Sequence, residues 1–232
     1  MPELLYVSDV APYERAGGRF AAGVHRSLGV AAQAFEEIAG LCGLDYGQAT
    51  RVSDVPIAAL EEARVLVLFT IGETQWSAEQ KAVIERRAEN GELGVVGIHA
   101  TTDSAYGWPK FGELIGARFD GHPVTGELPI SVVEATHPAT AHLPSPWRLK
   151  EELYLFRDLS PDVRVLLAVE MGSGGSGEGP SRLPIAWCIE RGAMRTFYTV
   201  LGHFLSAYED GNYLEHLRGA VEWVLGNDVS SR

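Results

Sequence analysis

Short apolar runs alternate with longer stretches of helical spacing over the first hundred residues. Leu4–Val7, Val65–Phe69 and Val95–Ile98 are compact apolar runs of the kind a parallel sheet buries on both faces. Between the first two, Leu28, Ala31, Ala32, Phe35, Ile38 and Ala39 recur at helical intervals, and Gly43 supplies a stop. Ser77 and Gln80 predict a capping box that opens a helix carrying Ala82, Val83, Ile84 and Ala88 and ending at Gly91. Strand, helix, strand, helix, strand at this spacing predicts right-handed βαβ units and an open parallel sheet.

Beyond Asp103 the pattern loosens. A short helix is predicted over Trp108–Ile115, with strands over Ile130–Val133 and Leu153–Phe156. Val163–Val169 and Pro184–Ile189 read as a hairpin around a Gly/Ser-rich loop at 172–179, followed by a strand over Arg195–Val200. Leu214, Leu217, Val221 and Val224 mark a closing amphipathic helix over Tyr213–Leu225. Pro12 and the Gly17-Gly18 pair mark a long loop after the first strand. There is no internal repeat and no linker, so residues 1–232 are expected to form one domain.

Charge and cysteine content narrow the choice of partner. The net charge is −12 and no Lys/Arg run occurs, which argues against nucleic acid and anionic membranes. No apolar run approaches the ~20 residues of a membrane span, and the N-terminal residues lack a secretory pattern. Cys42 and Cys188 are too few for a disulfide framework. A cytoplasmic protein acting on a small molecule is expected, with a homo-oligomer as the base-rate state.

Common catalytic motifs are missing. The Gly-rich segment has no Gly-Lys-Ser/Thr ending, the first βα connection lacks three spaced glycines, and no Gly-x-Ser-x-Gly elbow occurs. The histidines carry more information. His99 ends the strand of "GVVGIHATTD" and His203 follows "RTFYTVLGH", at the strand ends where open α/β sheets bind ligands. His122 and His137 precede prolines, which fixes an extended or turn geometry, and His137 is read as a turn residue; His142 fits a loop and His216 an exposed helix position. In "KEELYLF", alternation can aim one of Glu151 and Glu152 at a site with the other in solvent, although a solvated strand start accounts for the pair equally simply. Trp108, Trp147, Trp187, Tyr154 and Tyr198 suit either a sugar-stacking wall or the core.

Together "GVVGIHATTD", "GELIGARFDGHP", "EELYLF", "PIAWC" and "RTFYTVLGH" resemble the ThuA-like (trehalose utilisation) family. The resemblance implies an α/β fold, a flavodoxin-like three-layer sandwich with a mainly parallel central sheet, related to class I glutamine amidotransferases. It also implies a role in sugar utilisation. On its recurrent positions fall His99, His203, Glu152 and Asp103 as catalytic candidates, and His122, Trp108, Tyr154 and Trp187 as substrate-binding ones. His25, His99, His122 and His203 are the candidate ligands of a divalent metal such as zinc. Where amidotransferases carry a cysteine within Gly-x-Cys-x-Gly, this chain has Gly97-Ile98-His99-Ala100-Thr101, so glutaminase chemistry is not expected. Some relatives carry Asp-His before "PIAW", where this chain has Arg182-Leu183. Two functions follow: a hydrolase, lyase or isomerase acting on a sugar or keto-sugar by His/Glu acid–base or metal-assisted chemistry, or a non-catalytic carbohydrate-binding or regulatory module.

Overall fold

The computed structural model describes residues 1–11, 14–15, 18–19, 25–171 and 181–226. The chain opens with β1 (Leu4–Val10) and the short pair β2 (Glu14–Arg15) and β3 (Gly18–Arg19). Then come α1 (Leu28–Cys42), β4 (Tyr46–Ala49), α2 (Ile57–Glu62), β5 (Val65–Ile71), α3 (Ala78–Glu89) and β6 (Gly94–Ile98). A 3-10 turn over His99–Asp103 leads to α4 (Pro109–Ile115). After it lie β7 (Arg118–Val132), β8 (Trp147–Arg157), β9 (Val163–Met171), β10 (Ser181–Arg191) and β11 (Met194–Thr199). A 3-10 turn over Leu205–Glu209 and α5 (Gly211–Val224) follow. Of the expected loops, Pro12, Gly17 and the segment 172–179 lie outside the described residues, whereas β2 and β3 pair as an antiparallel ribbon.

Nine strands form one sheet in the order β4-β1-β5-β6-β11-β10-β9-β7-β8. The pairings from β4 to β11 are parallel, and those from β11 to β8 are antiparallel. The sheet is therefore mixed, which corrects the expectation of a mainly parallel one. Its parallel half, numbered along the chain, runs 2-1-3-4-5, a doubly wound order whose ligand crevices open at the carboxyl ends of the strands.

Helices cover both faces of that half. Tyr6, Val67, Val96 and Phe197 are register partners on one face, where Phe35 of α1 stacks on Tyr6 and His216 of α5 meets Phe197. There α5 lies so close that a Cβ on Gly94 would come within 2.6 Å of Val224 Cβ. Gly97 and Tyr198 face the other way, toward Ile115 of α4. The capping box forms as predicted: the Gln80 N–H donates to Ser77 Oγ at 3.1 Å, and the Ser77 N–H to Gln80 Oε1 at 2.9 Å.

The antiparallel wing is what completes the site. β8 lies five strands from β6 in the sheet, yet Tyr154 of β8 touches His99 just after β6. Register shifts in β7 between Phe119 and Gly121 and between Gly121 and Val124 bend the wing, as bulges do, and the sheet curls back over the strand ends. A wedge of rings fills the fold: Phe156 meets Trp187 at 4.9 Å, and Trp187 meets Tyr198 at 4.4 Å between centroids.

Candidate functional site

At the end of β6 the chain makes a sharp turn on His99, whose φ of 46° lies in the left-handed region that residues other than glycine seldom occupy. Two side chains hold this turn. Thr101 Oγ1 accepts the Ile98 N–H at 3.2 Å and donates to the Leu68 carbonyl at 2.6 Å. Tyr198 donates its hydroxyl to the His99 carbonyl at 2.6 Å. The His99 ring is completely buried, and its Nδ1 lies 2.6 Å from the Val200 carbonyl. A carbonyl only accepts, so Nδ1 carries the proton and the Nε2 lone pair points into the site.

Several groups from distant parts of the chain converge on that lone pair. The Tyr154 hydroxyl donates to Nε2 at 2.8 Å, and His203 Nδ1 lies 3.0 Å away. Glu152 Oε2 lies 3.6 Å from His99 Nε2 and 3.5 Å from His203 Nδ1. His25, just ahead of α1, brings a third imidazole, with ring centroids 5.1 Å from His99 and 5.2 Å from His203. His122 is half-exposed on the outer side, its Nδ1 4.0 Å from Glu152 Oε1.

Glu151 is the residue that sequence reasoning missed. Alternation does send it to the opposite face from Glu152, but that face is covered by the 3-10 turn at 205–209, and Glu151 is wholly buried. Its Oε1 accepts the Gly202 N–H at 2.7 Å and its Oε2 the His203 N–H at 3.3 Å. The carboxyl group thus fixes the backbone that carries His203. Gly202 has φ 111°, and a Cβ there would lie 2.5 Å from the Tyr213 hydroxyl, so only glycine fits this turn.

The electrostatics keep the imidazoles uncharged. Burial, reinforced by His203 and His122, pushes His25 down to about 4. Burial and the neighbouring His25 and His203 hold His99 well below the usual range. His203 is lowered by burial, with Glu152 pulling the other way. Neutral rings with one bare nitrogen each can accept protons or ligate a cation.

The sequence profile of the ThuA family, described as trehalose utilisation, matches residues 19–224. The chain belongs to the ThuA family. A ThuA-like protein from Bacteroides uniformis ATCC 8492 superposes with a TM-score of 0.74 at 22% identity, over 99% of this chain and 94% of that one. Another, from Parabacteroides merdae ATCC 43184, gives 0.73 at 20% identity, over 100% of this chain and 93% of that one. The carbohydrate deacetylase Agd3 shares the fold more distantly, with a TM-score of 0.59 at 13% identity over 97% of this chain and 32% of its own. Comparison with curated proteins gives no match. Membership of the ThuA family supports a role in trehalose utilisation at the level of the family. Among the described residues no helix is long and apolar enough to cross a membrane.

Of the predicted site residues in this ThuA-family chain, His25, His99, His203, Glu152 and Tyr154 come together, with His122 at the rim. Asp103 is buried at the end of the 3-10 turn and accepts the hydroxyl of Tyr106. The two tryptophans offered as substrate-binding residues sit in the core. Trp108 packs on Trp76 and Phe111 and donates to Glu85 Oε1 at 2.6 Å. Trp187 is completely buried and donates to the Ile115 carbonyl at 2.9 Å, which leaves no open ring face for a sugar. His216, read as exposed, is wholly buried on the inner face of α5, with its Nδ1 2.7 Å from the Ala139 carbonyl.

This burial sets the pH dependence of stability. Burial pushes His216 down to about 3 and His137 to about 4, against 6.5 for a free histidine. The unfolded chain then binds more protons than the folded one as pH falls below 6.5, so their contribution is complete above 6.5 and is lost on the way down. Glu151 has the opposite sign: burial raises it from 4.5 to about 8, so its contribution is complete below 4.5 and lost as pH rises through 8. Thermal melts from pH 7 to pH 4 are expected to show a falling Tm, with a flatter slope in His216→Gln. An equal slope in that variant contradicts the assignment.

Proposed function

We propose that this chain is an enzyme of sugar utilisation that acts on a sugar or keto-sugar by acid–base chemistry at His99, His203 and Glu152, with no thiol nucleophile. The observation that carries this reading is the convergence of the Glu152 carboxylate on two neutral imidazoles, 3.6 Å from His99 Nε2 and 3.5 Å from His203 Nδ1. A sugar hydroxyl, or the C–H beside a keto group, loses its proton to Glu152 when presented to it. His203, beside Glu152, relays that proton to the neighbouring atom and so restores the carboxylate, while Tyr154, whose one hydroxyl proton is given to His99 Nε2, accepts a hydrogen bond from the sugar. Cys188 lies in β10 with its Sγ 3.3 Å from Arg164 Nε, and Cys42 closes α1, so the elbow position belongs to imidazole. The scaffold proposed with this function is a flavodoxin-like three-layer sandwich extended by the antiparallel wing, supported by the 2-1-3-4-5 order and the helices on both faces.

The test uses trehalose and keto-trehalose as probes. Glu152→Gln keeps the shape of the side chain and removes the proton acceptor. It is expected to lower kcat by about 10²–10⁴-fold, with binding of the sugar changed only a few-fold, roughly one lost hydrogen bond. Binding without turnover in the parent protein overturns the enzyme reading in favour of a carbohydrate-binding module.

A further inference from the structure

Proton transfer needs two of the three imidazoles, and His25 is left without a part in it. Its ligand nitrogen and those of His99 and His203 all lie within 4.8 Å of one another. His99 makes the outer bond typical of metal-ligating histidines: Nδ1–H is given to a backbone carbonyl, and the bare Nε2 faces inward. His203 Nδ1 lies 3.0 Å from that bare nitrogen, a separation that two lone pairs tolerate only with a proton or a cation between them.

From this geometry we propose that His25, His99 and His203 form a three-imidazole site for a divalent transition metal of the zinc type, with Glu152 and Tyr154 beside its open position. Neutral imidazole suits zinc, copper, iron or nickel, whereas calcium and magnesium require a set of oxygen ligands that one carboxylate does not supply. Three protein ligands with a fourth position left open is the arrangement of catalytic rather than structural zinc. His122, expected as a fourth ligand, is half-exposed, touches the far oxygen of Glu152 at 4.0 Å, and stands outside the set. When bound, such an ion polarises a carbonyl oxygen or makes water a better nucleophile. For Tyr154, which now donates to His99 Nε2, the consequence is that its hydroxyl must turn toward the substrate position once that lone pair is taken. The inference rests on the sugar-chemistry reading of the same site and would leave its proton transfer to Glu152, because ligated imidazole nitrogens carry no proton, but uptake of metal is measured with no substrate present.

The full chain, purified without an affinity tag and stripped with a chelator, is titrated with Zn²⁺ by calorimetry and then assayed by elemental analysis. The expected result is about one equivalent per chain, with a Tm that rises with Zn²⁺ concentration. His25→Ala and His203→Ala are each expected to weaken binding by more than about 100-fold, beyond the loss of an outer-shell partner, while His122→Ala binds as the parent does. Circular dichroism checks that each variant is folded, and His25→Ala alone decides if His203→Ala is not. Uptake below about 0.1 equivalent by the parent, or parent-like binding by His25→Ala, overturns the site. Turnover by a chain that takes up no metal overturns the site and leaves the acid–base reading standing; metal uptake without turnover does the reverse.

Discussion

Glu151→Ala is expected to lower turnover by about 10²-fold, the cost of displacing a reacting group by roughly 1 Å. Glu151 touches no reacting atom in this account. Its two oxygens accept the N–H groups of Gly202 and His203, and the turn they hold aims His203 at His99. Removing the carboxyl leaves two buried donors without acceptors, at about 1–3 kcal/mol each. Glu151→Gln keeps one acceptor, opposite Gly202, and turns an amide N–H₂ toward the His203 N–H. It is expected to fall between the parent and Glu151→Ala in both kcat and stability, with KM nearly unchanged throughout. Urea melts and steady-state kinetics on the same three proteins separate the two roles. If stability falls while kcat per folded molecule stays at the parent value, Glu151 supports the fold and does not position His203.

The parallel half of the fold is legible in the sequence because its signals are local and strong. Val65–Ile71 and Gly94–Ile98 are buried along nearly their whole length, so the apolar run is itself the strand, and Ser77 with Gln80 fixes the start of α3. β4 escapes notice since "YGQA" at the sheet edge has neither an apolar run nor alternation. α2 escapes for its brevity, at six residues. β7 extends back to Arg118, far before the apolar Ile130, through a solvent-facing stretch with Pro123 and two register shifts that erase the period of two.

The candidate site divides along the same line. His99 and His203 stand out because each follows an apolar strand at the ligand-binding edge. Glu152 and Tyr154 arrive from the curled wing, a contact across five strands that no local pattern announces. The expectation that one carboxylate of the Glu151-Glu152 pair faces solvent follows from alternation alone. It fails because the 205–209 turn covers that face, and covering is a tertiary fact. Trp187 and Trp108 fail as sugar platforms for a similar reason: aromatic content signals burial and stacking alike, and here burial takes both rings.

His99→Asn separates the chemistry of the elbow from its backbone. Asparagine is among the residues that adopt the left-handed conformation most readily, so the turn at φ 46° is kept. The inward imidazole nitrogen is removed, and with it the anchor of Tyr154 and the neighbour of His203. Because the turn is also held by Thr101 and Tyr198, the folded state should survive with a Tm shift of only a few degrees, about 2–4 °C for each kcal/mol. The most direct measurement is the kcat of His99→Asn on keto-trehalose beside the parent, with sugar binding followed in parallel. The account predicts a loss of about 10²–10⁴-fold with the sugar still bound; turnover at the parent rate would contradict it.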